Sequence, residues 1–366
     1  MDSSILKHAL VNAVEHNGKA EIQAVLKKMI AENPDIRNKI KEVIKEISKT
    51  VTEVNKMTPE EQNKKLHELG VTIERKKAEE KYELPDLPDA KEGKVVTAFP
   101  PEPSKYPHLG HAKSALVNYL YAKKYKGKFI LRFEDSNPEL ERKEYYKIIM
   151  DGLKWLGIKW DKLDYLSDHL PEYYKITEEL ISKNHAYVCA CKQEDVKRKR
   201  EAQEVCIHRM QSTEENLKMW KKMSKMKEGE ATIRLKIDMK HPNTTMRDPA
   251  IMRIIDASHP RTEKKYRVWP VYDFATSLLD IWEGVTHRVR SKEFELRKEL
   301  QQYIQKILGA KSPYIIEIGR FNIEGVPSSG RIIREMVQTK QLMGWDDPRL
   351  TTLIALKRRG FVPKAI

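Results

Sequence analysis

The chain has 366 residues, 69 of them Lys or Arg and 54 Asp or Glu, for a formal net charge of +15. That length accommodates two or three domains with cores of their own, and the cationic excess favours a polyanionic partner such as nucleic acid, although a generally basic surface chemistry gives the same excess. No apolar run approaches the ~20 residues of a membrane span, residues 1–18 lack a basic-then-apolar secretory pattern, and three cysteines confined to residues 189–206 argue against a disulfide framework, so no membrane is expected among the partners and the expected location is cytoplasmic.

From residue 3 to about 83 the pattern is helical with polar faces: Leu6, Leu10, Val14; Ile22, Val25, Leu26, Ile30; Ile40, Val43, Ile44, Ile47, Val51. Gly18 and Asn33-Pro34 divide these runs. Thr58-Pro59-Glu60-Glu61 is a capping box with proline at the first helical position, so a further helix begins there and ends near Gly70. No chemistry is visible in this region; its basic residues suit either nucleic-acid contact or a solvated helix face.

Leu84-Pro85-Asp86-Leu87-Pro88-Asp89 reads as a proline-spaced linker. Val95, Val96 and Phe99 then predict a short strand ended by Pro100-Pro101-Glu102-Pro103, and a helix from near Gly110 carries Ala112, Leu116, Leu120 and Tyr121 as far as Gly127. Phe129-Ile130-Leu131 predicts a second, buried strand. Strand, loop, helix and strand make a nucleotide-binding half-fold. His108-Leu109-Gly110-His111 falls at its loop-to-helix junction, where free N–H groups and the helix dipole meet an anion. Tyr145, Ile148, Ile149, Leu153 and Leu156 mark the next helix, ended by Gly157, and residues 160–167 predict another strand and turn. The alternation predicts a parallel α/β sheet.

Between about 185 and 265 that alternation lapses. Cys189-Ala190-Cys191 and Cys206-Ile207-His208, either side of a largely charged loop, use every cysteine in the chain and suit one tetrahedral zinc; buried, unligated thiols are the alternative. With Cys189, Cys191, Cys206 and His208 all ligating, no position stays open for catalysis, and the metal is structural. Lys197-Arg198-Lys199-Arg200 and the run from Lys218 to Lys227 suit phosphate contacts or solvated helix. Residues 231–237 alternate strictly and predict a half-buried strand, and 252–255 and 315–318 predict two more.

Four stretches carry a resemblance. PPEPSKYPHLGHAK (100–113) is similar to the HIGH signature of class I aminoacyl-tRNA synthetases, and ILRFEDSNPE (130–139) resembles the strand that follows it in the glutamyl and glutaminyl branch. HPRTEKKYRVWPVYDFATSLLDIWEGVTHRVRSKEFELR (259–297) resembles the second half of that catalytic fold, and GWDDPRLTTLIALKRRGFVPKAI (344–366) the start of its helical, tRNA-facing domain. The N-terminal helices resemble the extension of archaeal-type glutamyl-tRNA synthetases. The resemblance implies an α/β class I synthetase Rossmann-like catalytic domain with a parallel sheet, an acceptor-binding insertion and an N-terminal α-helical extension. Its parts are residues 1–90 (helical extension and linker), 91–184 (first catalytic half), 185–265 (zinc-bearing acceptor-stem insertion), 266–320 (second catalytic half) and 321–366 (mobile signature loop and start of the tRNA-contact helices).

It further implies that His108 and His111 hydrogen-bond the ATP phosphates as charge builds on the transferring phosphorus, that Gly110 lets adenine lie against the backbone, and that Pro101 and Ser329 line the ATP site. Glu134 and Tyr272 would line the amino-acid pocket, with Asp273 supporting it, and Arg290 would choose glutamate over glutamine by bidentate pairing with its carboxylate. Pro327-Ser328-Ser329-Gly330-Arg331 falls where the family has its KMSKS-type loop; Gly330 stands where the catalytic lysine is expected, leaving Arg331 or Arg334 to substitute. Ala98 stands where relatives carry an arginine that grips the amino acid. The implied activity is glutamate–tRNA ligase, with ATP as substrate, Mg2+ accompanying it, structural Zn2+, and glutamate and the tRNA acceptor end as partners. Alternatives are a catalytically weakened, synthetase-like tRNA-binding protein and a glutaminyl-tRNA synthetase. Relatives continue into a β-barrel that reads the anticodon; these 366 residues hold no such segment, which points to truncation, to a separate anticodon-binding chain, or to function without it.

Overall fold

A computed structural model of the chain describes residues 2–16, 18–71, 84–321, 323–327 and 329–366. Contacts divide the chain into two units, 1–83 and 84–366, each with its own hydrophobic core.

In the first unit the helical spacing read from sequence yields α1 (Asp2–Glu15), α2 (Ile22–Glu32), α3 (Ile40–Val54) and α4 (Pro59–Glu68). Ile5, Leu10, Val25, Met29, Ile47, Val51 and Leu66 form their common core. Both halves of the Thr58–Glu61 capping box are present. Gln62, fully buried, donates from Nε2 to the carbonyls of Gly18 (3.0 Å) and Val54 (2.9 Å), two carbonyls an apolar residue would leave bare. The helical pattern continuing over 72–83 lies outside the described residues.

In the second unit, β1 (Val96–Phe99), α5 (Leu109–Lys124), β2 (Lys128–Phe133), α6 (Lys143–Trp155) and β3 (Lys162–Tyr165) follow in the predicted order. β1, β2 and β3 are parallel, with Ala98 opposite Ile130 and Leu131 opposite Leu163. Phe99, Phe129, Leu131, Phe133, Ile149 and Leu153 pack under them. The expected linker is in fact seated on this unit: Leu87 is buried with Val95, Tyr121 and Val289, and its N–H donates to the Tyr125 hydroxyl at 2.9 Å.

α7 (Leu170–Ser182) leads into the segment where the alternation lapses. β4 (Ala186–Cys189), α8 (Gln193–Glu201), α9 (Thr213–Met223), β5 (Thr232–Leu235), β6 (Ala250–Ile254) and β7 (Val268–Pro270) build an antiparallel sheet in the order β4-β5-β6-β7. The strictly alternating stretch predicted a solvated face for β5. Instead Arg234 is only 2% exposed, its Nε donating to the Asp248 carbonyl, because the strand is covered on both sides. This sheet shares one core with its flanks: Tyr173, Ile233, Leu235, Met252, Trp269 and Phe274 belong to the same cluster as Leu278, Leu300 and Ile304.

The chain returns through α10 (Tyr272–Glu283), β8 (His287–Ser291), α11 (Lys298–Ile307) and β9 (Tyr314–Ile318), with β8 and β9 parallel. Gly284, at φ 64°, caps α10 in the left-handed region that glycine adopts without a Cβ clash. Just before β8 the Thr286 N–H donates to the Val96 carbonyl at 3.0 Å and its hydroxyl accepts the Val96 N–H at 2.8 Å, which sets β8 beside β1. Through these bonds the strands lie in the order β3-β2-β1-β8-β9, and the chain leaves β1 through α5 for β2 on one side and β8 through α11 for β9 on the other. That reversal leaves a crevice beyond the carboxyl ends of β1 and β8, the place where open α/β sheets bind ligands. α12 (Gly330–Gln338) and α13 (Leu353–Arg358) complete the unit. No helix among the described residues is long and apolar enough to cross a membrane.

Candidate active site

At that crevice lies a cavity of about 890 Å3, lined at its centre by Ala98 to Pro101, by His108 to His111, and by Arg288 to Ser291. The turn into α5 is held by its own histidines. His108 Nδ1 accepts the Gly110 N–H at 3.0 Å, and His111 Nδ1 accepts the His108 N–H at 3.2 Å, a capping box made of two imidazoles. The ring centroids are 4.1 Å apart. A Cβ at Gly110 would meet His108 Cε1 at 2.9 Å, so only glycine lets the ring fold back onto this turn. Burial, with Lys105 and Arg320 nearby, pushes His108 down to about 4, and burial with His108 beside it lowers His111 well below the ordinary imidazole value. Both rings are neutral at pH 7. With each Nδ1 accepting, each proton sits on Nε2, giving the cavity two neutral hydrogen-bond donors.

Arg253, Arg288, Arg290, Arg297, Arg320, Lys105 and Lys113 line the same cavity against Glu102, Glu134 and Glu293, so its field favours an anion. Arg290, 6% exposed, donates from Nη1 to Gln301 Oε1 (2.7 Å) and from Nη2 to the Phe294 carbonyl (3.2 Å), while its buried Nε has no partner. Burial and the neighbouring Arg288 lower its pKa, yet a guanidinium stays charged at neutral pH. One N–H on each Nη remains for a ligand. Tyr272 opens α10 with its ring 5.4 Å from Phe294 and under the Arg297 guanidinium; burial raises its phenol, which stays protonated. Glu134 accepts from Arg132 at 2.9 Å and lies 3.7 Å from Arg288. Asp273 faces the pocket through Gln301, whose amide donates to it at 2.9 Å. Arg253 lines the cavity although sequence reasoning gave it no role there; an arginine inside the apolar run Met252 to Ile255 is the signal that marks it.

The structure brings His108, His111, Gly110, Pro101, Ser329, Glu134, Tyr272 and Arg290 together around one cavity. It does not bring in Arg331: its side chain is exposed and is not among the lining residues, because it follows Gly330 onto the outer face of α12. Arg334 is turned to the Ser104 carbonyl at 3.3 Å. Ala98 lines the cavity with its methyl packed on Ile130 and Val285.

Away from this cavity, Cys189 at the end of β4 meets Cys191, Cys206 and His208, with all four ligand atoms within 4.8 Å of one another. The sulfurs of Cys189 and Cys191 are 3.6 and 3.5 Å from Cys206 Sγ, and His208 Nδ1 is 3.4 and 3.3 Å from Cys191 and Cys206. Ligands at ~2.3 Å (S) and ~2.0 Å (N) from a tetrahedral centre stand about 3.5–3.8 Å apart, so the cluster fits a metal ion. Burial pushes the Cys191 thiol up to about 12, with the neighbouring sulfurs adding to the rise, a penalty that a divalent cation reverses. Burial lowers His208, keeping it in the neutral, ligating form. Buried Arg234 reaches Cys189 Sγ at 3.8 Å, where it would offset the excess anionic charge of three metal-bound thiolates.

A neutral-imidazole turn at the switch point of a parallel sheet, facing a cationic wall, defines a class of nucleotide-phosphate site. The family model described as tRNA synthetases class I (E and Q), catalytic domain, matches residues 94–366, and the chain belongs to that family. It is 46% identical to the glutamate–tRNA ligase of Pyrococcus furiosus over 99% of this chain and 65% of that protein, and 47% identical to that of Nitrosopumilus maritimus over 99% and 64%. The chain thus spans about 65% of the length of the curated relatives it matches. A crystal structure of a glutamate tRNA ligase from Elizabethkingia meningosepticum, in complex with its amino acid, shares the fold at a TM-score of 0.50 and 21% identity, over 67% of this chain and 53% of that one.

Proposed function

We propose that this chain catalyses glutamate–tRNA ligation. The observation that carries the reading is the pair of neutral imidazoles facing buried Arg290 across one cavity. A glutamate α-carboxylate oxygen attacks the α-phosphorus of ATP, the bond to the β-phosphate breaks, and pyrophosphate leaves. The terminal ribose hydroxyl of tRNA then attacks the carbonyl of the mixed anhydride, loses its proton, and AMP departs. His108 and His111 donate from Nε2 to phosphate oxygens as charge grows there; Gly110, Pro101 and Ser329 shape the nucleotide subsite. Arg290 takes the side-chain carboxylate, Tyr272 walls the pocket and Glu134 faces the α-ammonium. Orientation and charge stabilisation supply the rate, and no side chain acts as nucleophile.

Magnesium arrives with the ATP phosphates. Zinc on Cys189, Cys191, Cys206 and His208 would brace the insertion that approaches the tRNA acceptor end, its role structural. The partners of this reading are glutamate and tRNA, in the cytoplasm. The test is tRNA-dependent glutamate–ATP–pyrophosphate exchange by purified protein; absence of exchange, with an added anticodon-binding chain as well, would sink the reading. Exchange with glutamine outcompeting glutamate would favour a glutaminyl enzyme instead. The second reading, a tRNA-binding protein of weak activity, is favoured by Ala98 and by Arg331 lying outside the cavity, and predicts tRNA retention without exchange.

A further inference from the structure

The signature loop has glycine where a phosphate-binding lysine is expected, and the structure places another lysine against that glycine. A Cβ built on Gly330 would stand 3.1 Å from Lys105 Cδ and 3.8 Å from Lys105 Cβ. The stem of Lys105 therefore lies across the space a side chain at 330 would occupy. Both residues line the same cavity as His108 and His111. We propose that Lys105 supplies, from the proline-rich loop, the cation for the ATP phosphates that the signature loop lacks at Gly330; this rests on reading the cavity as the ATP site.

Three further observations support the assignment. Lys105 is half-buried and, among the described residues, makes no hydrogen bond or ion pair, so its ammonium is uncommitted. Of the other cations near the signature loop, Lys113 donates to the Gly319 carbonyl at 2.6 Å and sits over the Phe321 ring, Arg320 pairs with Glu293 at 3.2 Å, and Arg331 is outside the cavity; Arg253 lines the cavity unpaired, but among the described residues only Lys105 stands within 4 Å of a Cβ at Gly330. The charge of Lys105 is felt by both imidazoles, whose pKa values it helps to lower, which puts it in the same electrostatic site.

The backbone that carries it is fixed on both sides. Ser104 is tied to Glu102 through its hydroxyl (2.7 Å) and its N–H (2.9 Å) while its carbonyl accepts from Arg334, and the Pro107 carbonyl accepts the Leu353 N–H at 2.8 Å. A lysine on such a braced loop is preorganised, so little reorganisation precedes charge stabilisation.

Lys105→Met keeps the stem over Gly330 and deletes the charge. In glutamate-dependent pyrophosphate exchange by the full chain with tRNA, kcat is expected to fall about 100-fold, with KM for glutamate unchanged. Moving the cation across the contact, Lys105→Gly with Gly330→Lys, is expected to recover about tenfold over Lys105→Met. Wild-type exchange by Lys105→Met, or a double variant no faster than Lys105→Met, overturns the assignment. If the unaltered chain exchanges nothing, the ligase reading fails and the Kd of a non-hydrolysable ATP analogue decides for Lys105: about tenfold weaker binding to Lys105→Met upholds it, and equal binding overturns it.

Discussion

Arg290 Nη1 donates to Gln301 Oε1 at 2.7 Å, and Gln301 Nε2 donates to Asp273 Oδ1 at 2.9 Å. The amide is thereby locked in one orientation, and Asp273 is itself held by Arg297 at 2.6 Å. Gln301 on α11 is a positioning residue: it aims the guanidinium without touching the cavity. Gln301→Leu is expected to raise KM for glutamate about tenfold with kcat for pyrophosphate exchange little changed, the loss of one hydrogen bond to a charged group. An unchanged KM would mean that the Phe294 carbonyl alone holds Arg290.

Because burial puts His108 at about 4 and His111 also well below its ordinary value, neither imidazole titrates near neutrality. Each Nδ1 must be unprotonated to accept its backbone N–H. A depressed folded pKa means that the turn's contribution to stability is complete above about 6.5, the ordinary imidazole value, and is lost as pH falls through about 4. The pH profile of kcat for exchange is therefore expected to be flat from about 6 to 8 with respect to these rings, and His111→Ala to lower kcat at least about 100-fold. A break near pH 6.5 that disappears in His108→Ala would contradict neutral donors.

The parallel half-fold was readable because Val95 to Phe99 and Phe129 to Leu131 are short apolar runs punctuated by prolines and Gly127, and the Thr58 capping box announced α4 in four residues. β4 was not readable: Ala186 to Cys189 is a buried strand with no polar alternation, ending on a metal ligand. Arg234 misled for the opposite reason, since alternation cannot distinguish a side chain turned to water from one turned to a buried thiolate. The imidazole pair was legible as a motif, but the compensation at Gly330 was not. It depends on contact between positions 105 and 330, and nothing local to either residue encodes it.

The Cys189, Cys191, Cys206 and His208 geometry gives a direct prediction. The protein is expected to hold one zinc per chain, replaceable by Co2+ with the visible absorption of a tetrahedral thiolate site. Cys206→Ser removes a ligand that lies 3.3 to 3.6 Å from each of the other three and should abolish stoichiometric metal and lower Tm by about 5–10 °C. Affinity for ATP should persist, because none of the four residues lines the cavity. Full occupancy by zinc in Cys206→Ser would contradict the ligand set.

Beneath the cavity, Glu141 is 1% exposed, its Oε1 accepting the Asn137 N–H at 2.7 Å while Oε2 lies 3.2 Å from His259 Nε2 without a hydrogen bond. His259 Nδ1 accepts the N–H groups of Arg261 and Thr262, so its neutral ring carries the proton on Nε2 and offers Glu141 no full positive charge. Burial consequently pushes Glu141 up to about 8, and burial with Glu141 alongside pushes Asp135 up to about 6. A carboxyl raised in the folded state stabilises the fold fully below its unfolded pKa, and that contribution is lost as pH rises through the folded value. For Glu141 the window runs from about 4.5 to about 8, and the change across it is on the order of a few kcal/mol. Calorimetric Tm is expected to fall across this window, and to fall less in Glu141→Gln, whose side chain cannot ionise but keeps an oxygen for the Asn137 N–H. Parallel Tm curves for the two proteins would mean that Glu141 is already ionised in the folded state at neutral pH, held so by Arg253 and by a protonated His259.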